Sequence, residues 1–177
     1  MSVIFHVDAA RWRGHLDRTI RANPGIVPVV KGNGYGVGLD LLLAEASRLH
    51  GSSGVSQIAV GTYAEARLAL DAYPGDVLVL EPYRPVLHGD LPHLGAHALV
   101  HNVVSIDDAT DLARRTADRW RPRVLVEGLS TMNRFGAPHD EAARLLEHCR
   151  SEASGVDLVG ASLHLPLGDG HLAEVTR

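Results

Sequence analysis

Pro28-Val29-Val30-Lys31-Gly32-Asn33-Gly34-Tyr35-Gly36-Val37-Gly38 carries an apolar run that begins at Ile26 straight into a turn with glycines at alternate positions. The apolar half has the length and β-branched content of a buried strand. A lysine closing such a strand stands at the end where barrels and open α/β sheets put their active sites. Position alone leaves Lys31 two readings, a solvated charge or a reactive amine. In the second, partial removal from water disfavours the ammonium form and frees the lone pair for Schiff-base formation. The glycines require a tight turn or a close approach of backbone to ligand. Tyr35, inside the turn, offers a phenolic hydroxyl to an anion. Two familiar phosphate loops do not fit: a Walker loop has its lysine after the glycines, and Gly-x-Gly-x-x-Gly fails at Val37.

Outward from this stretch, apolar runs recur at Ile26 to Val30, Gln57 to Val60, Val77 to Leu80, Ala96 to Val100, Val124 to Val126 and Leu158 to Ser162. Helical segments separate them, so the chain reads as six strands in a βα series. Asp8 caps an opening helix, Thr62-Tyr63-Ala64-Glu65 has the form of a capping box, and Ser105-Ile106-Asp107-Asp108 opens another helix with carboxylates at its positive end. Gly51 is expected to stop the helix of Leu41 to His50, and Pro74-Gly75 the one ending at Tyr73. Periodicity by itself fits a barrel or a doubly wound sheet equally.

The 177 residues suit one domain with a real core, yet fall short of the roughly 250 of a complete eight-fold barrel. With 45% apolar and 21% charged residues, composition excludes disorder, and no run approaches the roughly 20 apolar residues of a spanning helix. The start, Met1-Ser2-Val3-Ile4-Phe5-His6, has no basic leader or apolar h-region, so a cytoplasmic location is expected. A net charge of −4, spread along the chain, gives no footprint for nucleic acid or anionic lipid, and neither partner is expected. Cys149 reads as a half-buried inert thiol. The eleven histidines lack zinc-site spacing, so no metal is expected and most are assigned to the surface.

Val30-Lys31-Gly32-Asn33-Gly34-Tyr35-Gly36-Val37-Gly38 closely resembles the Val-Lys-Ala-Asn-Ala-Tyr-Gly-His-Gly signature of alanine racemases, the fold-type III pyridoxal phosphate enzymes. Three further matches follow in the family's order: Ile58 to Ala66 is similar to its second strand and helix start, Met132-Asn133-Arg134-Phe135-Gly136 to its Met-Asn-Arg-Leu-Gly motif, and Gly160-Ala161-Ser162-Leu163-His164 to its Gly-x-x-x-His strand. The resemblance implies a TIM-barrel-like (β/α) fold, here incomplete at about six of eight βα units, with residues 1–177 forming the N-terminal part and the C-terminal β-domain absent. It implies pyridoxal 5'-phosphate as cofactor, held as a Schiff base on Lys31, with Tyr35 on its phosphate, Arg134 on its phenolic oxygen and the substrate side, and His164 supporting that network. Lys31 is then also one of two acid/base groups for converting L-alanine to D-alanine, and the second belongs to a β-domain of the other subunit in a full-length homodimer.

Two departures matter. The family's Asp-Thr-Gly is replaced by Leu129-Ser130-Thr131, and Glu127 stands where many relatives carry a carbamylated lysine paired with the arginine. Glutamate supplies a comparable negative charge, which makes Glu127 a candidate partner for Arg134 as well as an ordinary strand-end carboxylate. The expected function is alanine racemisation dependent on missing C-terminal parts. The alternatives are a fold-type III D-amino-acid lyase or aldolase, and a non-catalytic pyridoxal phosphate-binding protein.

Overall fold

The computed structural model describes residues 4, 6–89, 97–166, 168 and 171–176. Five strands, β1 (Gln57–Val60), β2 (Asp76–Pro82), β3 (Leu99–Val103), β4 (Arg123–Gly128) and β5 (Asp157–Leu163), form one sheet in the order β1-β2-β3-β4-β5. Every neighbouring pair is parallel. Strand order that never reverses is the winding of a barrel, since a doubly wound sheet changes direction at a switch point. The crossovers are supplied by α3 (Tyr63–Ala72), α4 (Pro85–His88), α5 (Ile106–Thr116) and α6 (His139–Arg150). Helix α1 (Ala9–Ala22) and α2 (Leu39–Ser53) precede the sheet, and α7 (His171–Val175) follows it.

The expected first strand is reduced to a bridge. Val29 pairs with Ala59, through Val30 N–H to Ala59 O at 2.7 Å and Ala59 N–H to Pro28 O at 2.9 Å. Pro28 has no N–H to donate, and Ile26 and Val29 are 41% and 53% exposed, so the segment behaves as an edge. Of the six expected strands, five are full strands. Ala96, where one expected run began, lies outside the described residues; β3 begins at Leu99.

Helix boundaries follow their caps. Thr62 and Glu65 form the capping box of α3, Ser105 accepts from Asp108 N–H at the start of α5, and Asp8 accepts from Arg11 N–H at the start of α1. Helix α2 does not stop at Gly51; it continues to Ser53 and ends at Gly54, whose φ of 68° supplies the left-handed cap. Gly51 keeps a negative φ and a Cβ there would meet nothing within 4 Å, so the chain continues in the helix.

Ile58, Val60, Val77, Val79, Leu99, Val103, Val124 and Val126 are buried on the sheet and pack with Tyr63, Ala66, Ala69, Leu112, Leu145 and Cys149 from the helices. Each buried Val, Leu or Ile among them contributes about 1.5–3 kcal/mol by leaving water. Cys149 is fully rather than half buried, and burial pushes its thiol up to about 11, as an inert core residue requires. His101 is an exception to the expected surface placement of most histidines: it is 2% exposed, shares a 2.8 Å hydrogen bond with the Tyr63 hydroxyl, and burial holds its pKa down to about 4. Among the described residues, no helix is long and apolar enough to cross a membrane and no cluster of metal-binding side chains occurs.

Candidate functional site

Parallel strands bring their carboxyl ends to one rim. Lys31 follows the segment bridged to β1, Arg134 lies in the connection after β4, and His164 directly follows β5. All are therefore on the rim where such folds do chemistry.

After Lys31, in extended backbone at φ −150°, the chain enters a left-handed turn: φ is 59° at Gly32, 50° at Asn33, 60° at Gly34 and 53° at Tyr35. Glycine adopts this freely and asparagine tolerates it, whereas an aromatic residue is strained there. Asn33 adds a reason for its place, since its Oδ1 accepts Leu39 N–H at 2.9 Å and ties the turn to α2. The strained Tyr35 is 88% exposed, so packing does not hold it; such outliers cluster at ligand sites. The Lys31 stem lies along Gly61 of the β1–α3 turn, where an added Cβ would stand 3.3 Å from Lys31 Cβ. Lys31 is also the only lysine of the chain; the other 16 basic residues are arginine and cannot form a Schiff base.

The second half of the rim is the loop from Leu129 to Gly136. Ala137 N–H bonds Glu127 O and Leu129 N–H bonds Ala137 O, both at 2.8 Å, which closes the loop at its base. Gly136, at φ 115°, is required: a Cβ there would meet the Gly128 backbone at 2.5 Å. Ser130 donates from Oγ to His164 O and accepts Met132 N–H at 3.2 Å. These bonds set His164 Nε2 3.4 Å from Arg134 Nη1, while the guanidinium stacks 5.0 Å over the Phe135 ring. Arg134 and His164 are thus brought together. Lys31 and Tyr35 share the rim at its other edge, and among the described residues no hydrogen bond or ion pair joins the two halves.

Glu127 is 4% exposed and accepts from Asn102 Nδ2; among the described residues it forms no ion pair with Arg134. Asn102 also donates to Leu80 O at 3.0 Å, which fixes its amide orientation and leaves Oδ1 without a partner, as is Ser162 Oγ. Both residues line a cavity of about 60 Å³ with Glu127 and His164. A larger groove of about 890 Å³ touches Ser130, Thr131 and Asn133 but none of Lys31, Tyr35, Arg134 or His164.

In kind, the residues fit pyridoxal phosphate: one amine for its aldehyde, a phenol and a guanidinium for its oxyanions, and buried polar atoms at the rim that call for a polar guest. Sequence reading missed Ser130, Asn102 and the uniqueness of Lys31. A count of lysines would have found the last, and paired polar residues inside the run Leu99-Val100-His101-Asn102-Val103 signal the second.

The class is a βα barrel-type protein with an amine-bearing rim. The chain belongs to the family described as alanine racemase, N-terminal domain, which it matches over residues 9–177. Its fold is similar to that of alanine racemase from Clostridium difficile 630, at TM-score 0.74 and 18% identity, covering 96% of this chain and 44% of that one. Alanine racemase from Bacillus anthracis with bound L-Ala-P is similar at TM-score 0.70 and 18% identity, covering 93% and 43%. Histidine racemase from Leuconostoc mesenteroides subsp. sake NBRC 102480 is similar at TM-score 0.71 and 15% identity, covering 95% and 45%. The chain therefore spans less than half the length of these solved structures. No curated protein matches it.

Proposed function

We propose that residues 1–177 supply the cofactor-bearing half of a pyridoxal phosphate-dependent amino-acid racemase acting on alanine. The observation that carries this is Lys31, a lone lysine at the carboxyl rim of a parallel sheet, followed by a left-handed turn and matched within a racemase family. Bound there, the cofactor would supply an electron sink for the charge left when an amino acid loses its α-proton. Lys31 would hold the cofactor through its amine and, once displaced by substrate, take or return a proton on one face of the α-carbon. Tyr35 would donate to the phosphate. Arg134, kept in place by His164 and by stacking on Phe135, would face the phenolic oxygen and the substrate carboxylate. Glu127 would act through Asn102, as a buried acceptor beneath the rim. The second proton-transfer group, a C-terminal β-domain and a homodimer partner are assigned to the full-length protein.

Treating the chain with pyridoxal phosphate and borohydride tests the reading, because only one lysine can be modified. A cofactor-sized mass increase on the Lys31 peptide, lost in Lys31→Arg, is the expected result. No modification of that peptide overturns every cofactor reading. The similarity to a histidine racemase supports a second substrate, and α-proton exchange of D- and L-forms of alanine and histidine in heavy water decides between them.

A further inference from the structure

Glu65 does more than complete the capping box of α3. Its Oε2 accepts Gly61 N–H at 2.8 Å and Thr62 N–H at 3.1 Å, which is the ordinary work of a residue in that box. Its Oε1 reaches across to a different chain segment and accepts Gly32 N–H at 2.6 Å. Three backbone donors from two segments thus converge on one carboxylate, the only side-chain group with two acceptor oxygens. Gly32 is the residue after Lys31, and Gly61 is the residue over which the Lys31 stem lies. The segment carrying Lys31 is otherwise joined to the sheet by the single bridge at Val29. We infer that Glu65 is a positioning residue for Lys31: it clamps the backbone beside the amine to the floor beneath its stem, and so sets where the amine points on the rim. This rests on the assignment of Lys31 as the cofactor-bearing amine.

Glu65→Gln separates clamp from cap. An amide has one acceptor oxygen, and it serves the Gly61 and Thr62 donors, where two bonds are available; its NH₂ then faces Gly32 N–H, donor against donor. Thr62→Ala does the reverse, removing the hydroxyl that accepts Glu65 N–H at 3.2 Å and leaving the clamp. The full 177-residue chain and both variants are compared by hydrogen exchange of the Gly32 amide, by reductive methylation of the lone lysine with formaldehyde, and by borohydride trapping of pyridoxal phosphate. Loss of one charge-assisted bond corresponds to roughly a tenfold change. In Glu65→Gln, Gly32 exchange should rise and trapping at Lys31 should fall by that factor, while Thr62→Ala lowers Tm and keeps both near the parent. Equal trapping in Glu65→Gln and the parent, or an equal fall in Thr62→Ala, overturns the inference. A parent chain that takes no pyridoxal phosphate overturns the cofactor assignment instead. In that case faster Gly32 exchange and a changed methylation rate confined to Glu65→Gln still support the clamp.

Discussion

The two loops that make the rim are anchored to the sheet in different ways. The loop after β4 is closed by backbone bonds between Glu127, Leu129 and Ala137 and rises from a strand paired on both sides. The loop after Lys31 springs from an edge segment with one bridge; its backbone bonds, Gly34 N–H to Lys31 O and Gly38 N–H to Asn33 O, are local, and side chains tie it to its neighbours: Glu65 on Gly32, Asn33 on Leu39. The arginine half is therefore anchored through the backbone of a central strand, whereas the lysine half is anchored to its neighbours mainly through side chains. That suits their proposed roles, because Arg134 would face a stationary oxyanion while Lys31 would alternate between holding the cofactor and moving a proton.

Glycine replacements should break this symmetry most sharply. In Gly136→Ala the new Cβ has both a φ of 115° and the Gly128 backbone at 2.5 Å against it, and a loss of about 4 kcal/mol is expected in chemical denaturation. Gly36→Ala, at φ 104° but with nothing within 4 Å, should lose only the conformational part, about 1–2 kcal/mol. Equal losses would mean that the Gly128 backbone yields to the new Cβ, so that the base of the loop after β4 is not tightly closed.

Acid gives a readout apart from both loops, since the hydrogen-bond partner of His101 is Tyr63 of α3 and not a residue of either loop. Its pKa in the fold is about 4, below the ordinary 6.5, so the unfolded chain takes up the proton first as pH falls. Its contribution is whole above pH 6.5 and is lost as pH drops towards 4, about 3 kcal/mol in all. His101→Gln should flatten that part of the stability–pH curve, and an unchanged slope would remove His101 as its source.

Smaller effects sharpen the contrast. Ser130→Ala removes the hydroxyl between His164 O and Met132 N–H and should cost about 1–2 kcal/mol, with the Arg134–His164 contact loosened and Lys31 trapping unchanged. Tyr35→Phe, at an 88% exposed position, should leave Tm unaltered and weaken pyridoxal phosphate retention alone. A fall in Tm there would show the phenol to be structural.

Much of the fold was legible because its signals are local. Caps at Asp8, Thr62 and Ser105 act within one turn, and apolar runs record burial residue by residue. Misreadings arose where a distant partner decided. The segment at Ile26 reads as a strand, yet Pro28 and its edge position leave it one bridge; α2 passes Gly51 because Gly54 turns left-handed. At the site, the order of Lys31, Tyr35, Arg134 and His164 was readable as a pattern, but their grouping into two halves was not.

The sequence by itself determined the alternation of strands and helices, the turn after Lys31 and the family, because each depends on residue type at short spacing. Tertiary structure alone decided that strand order runs without reversal, that Glu127 meets Asn102, that Ser130 holds His164, and that Glu65 reaches Gly32. Those partners lie 25 to 34 residues apart, and only the closing of parallel strands onto one rim brings them within hydrogen-bond reach.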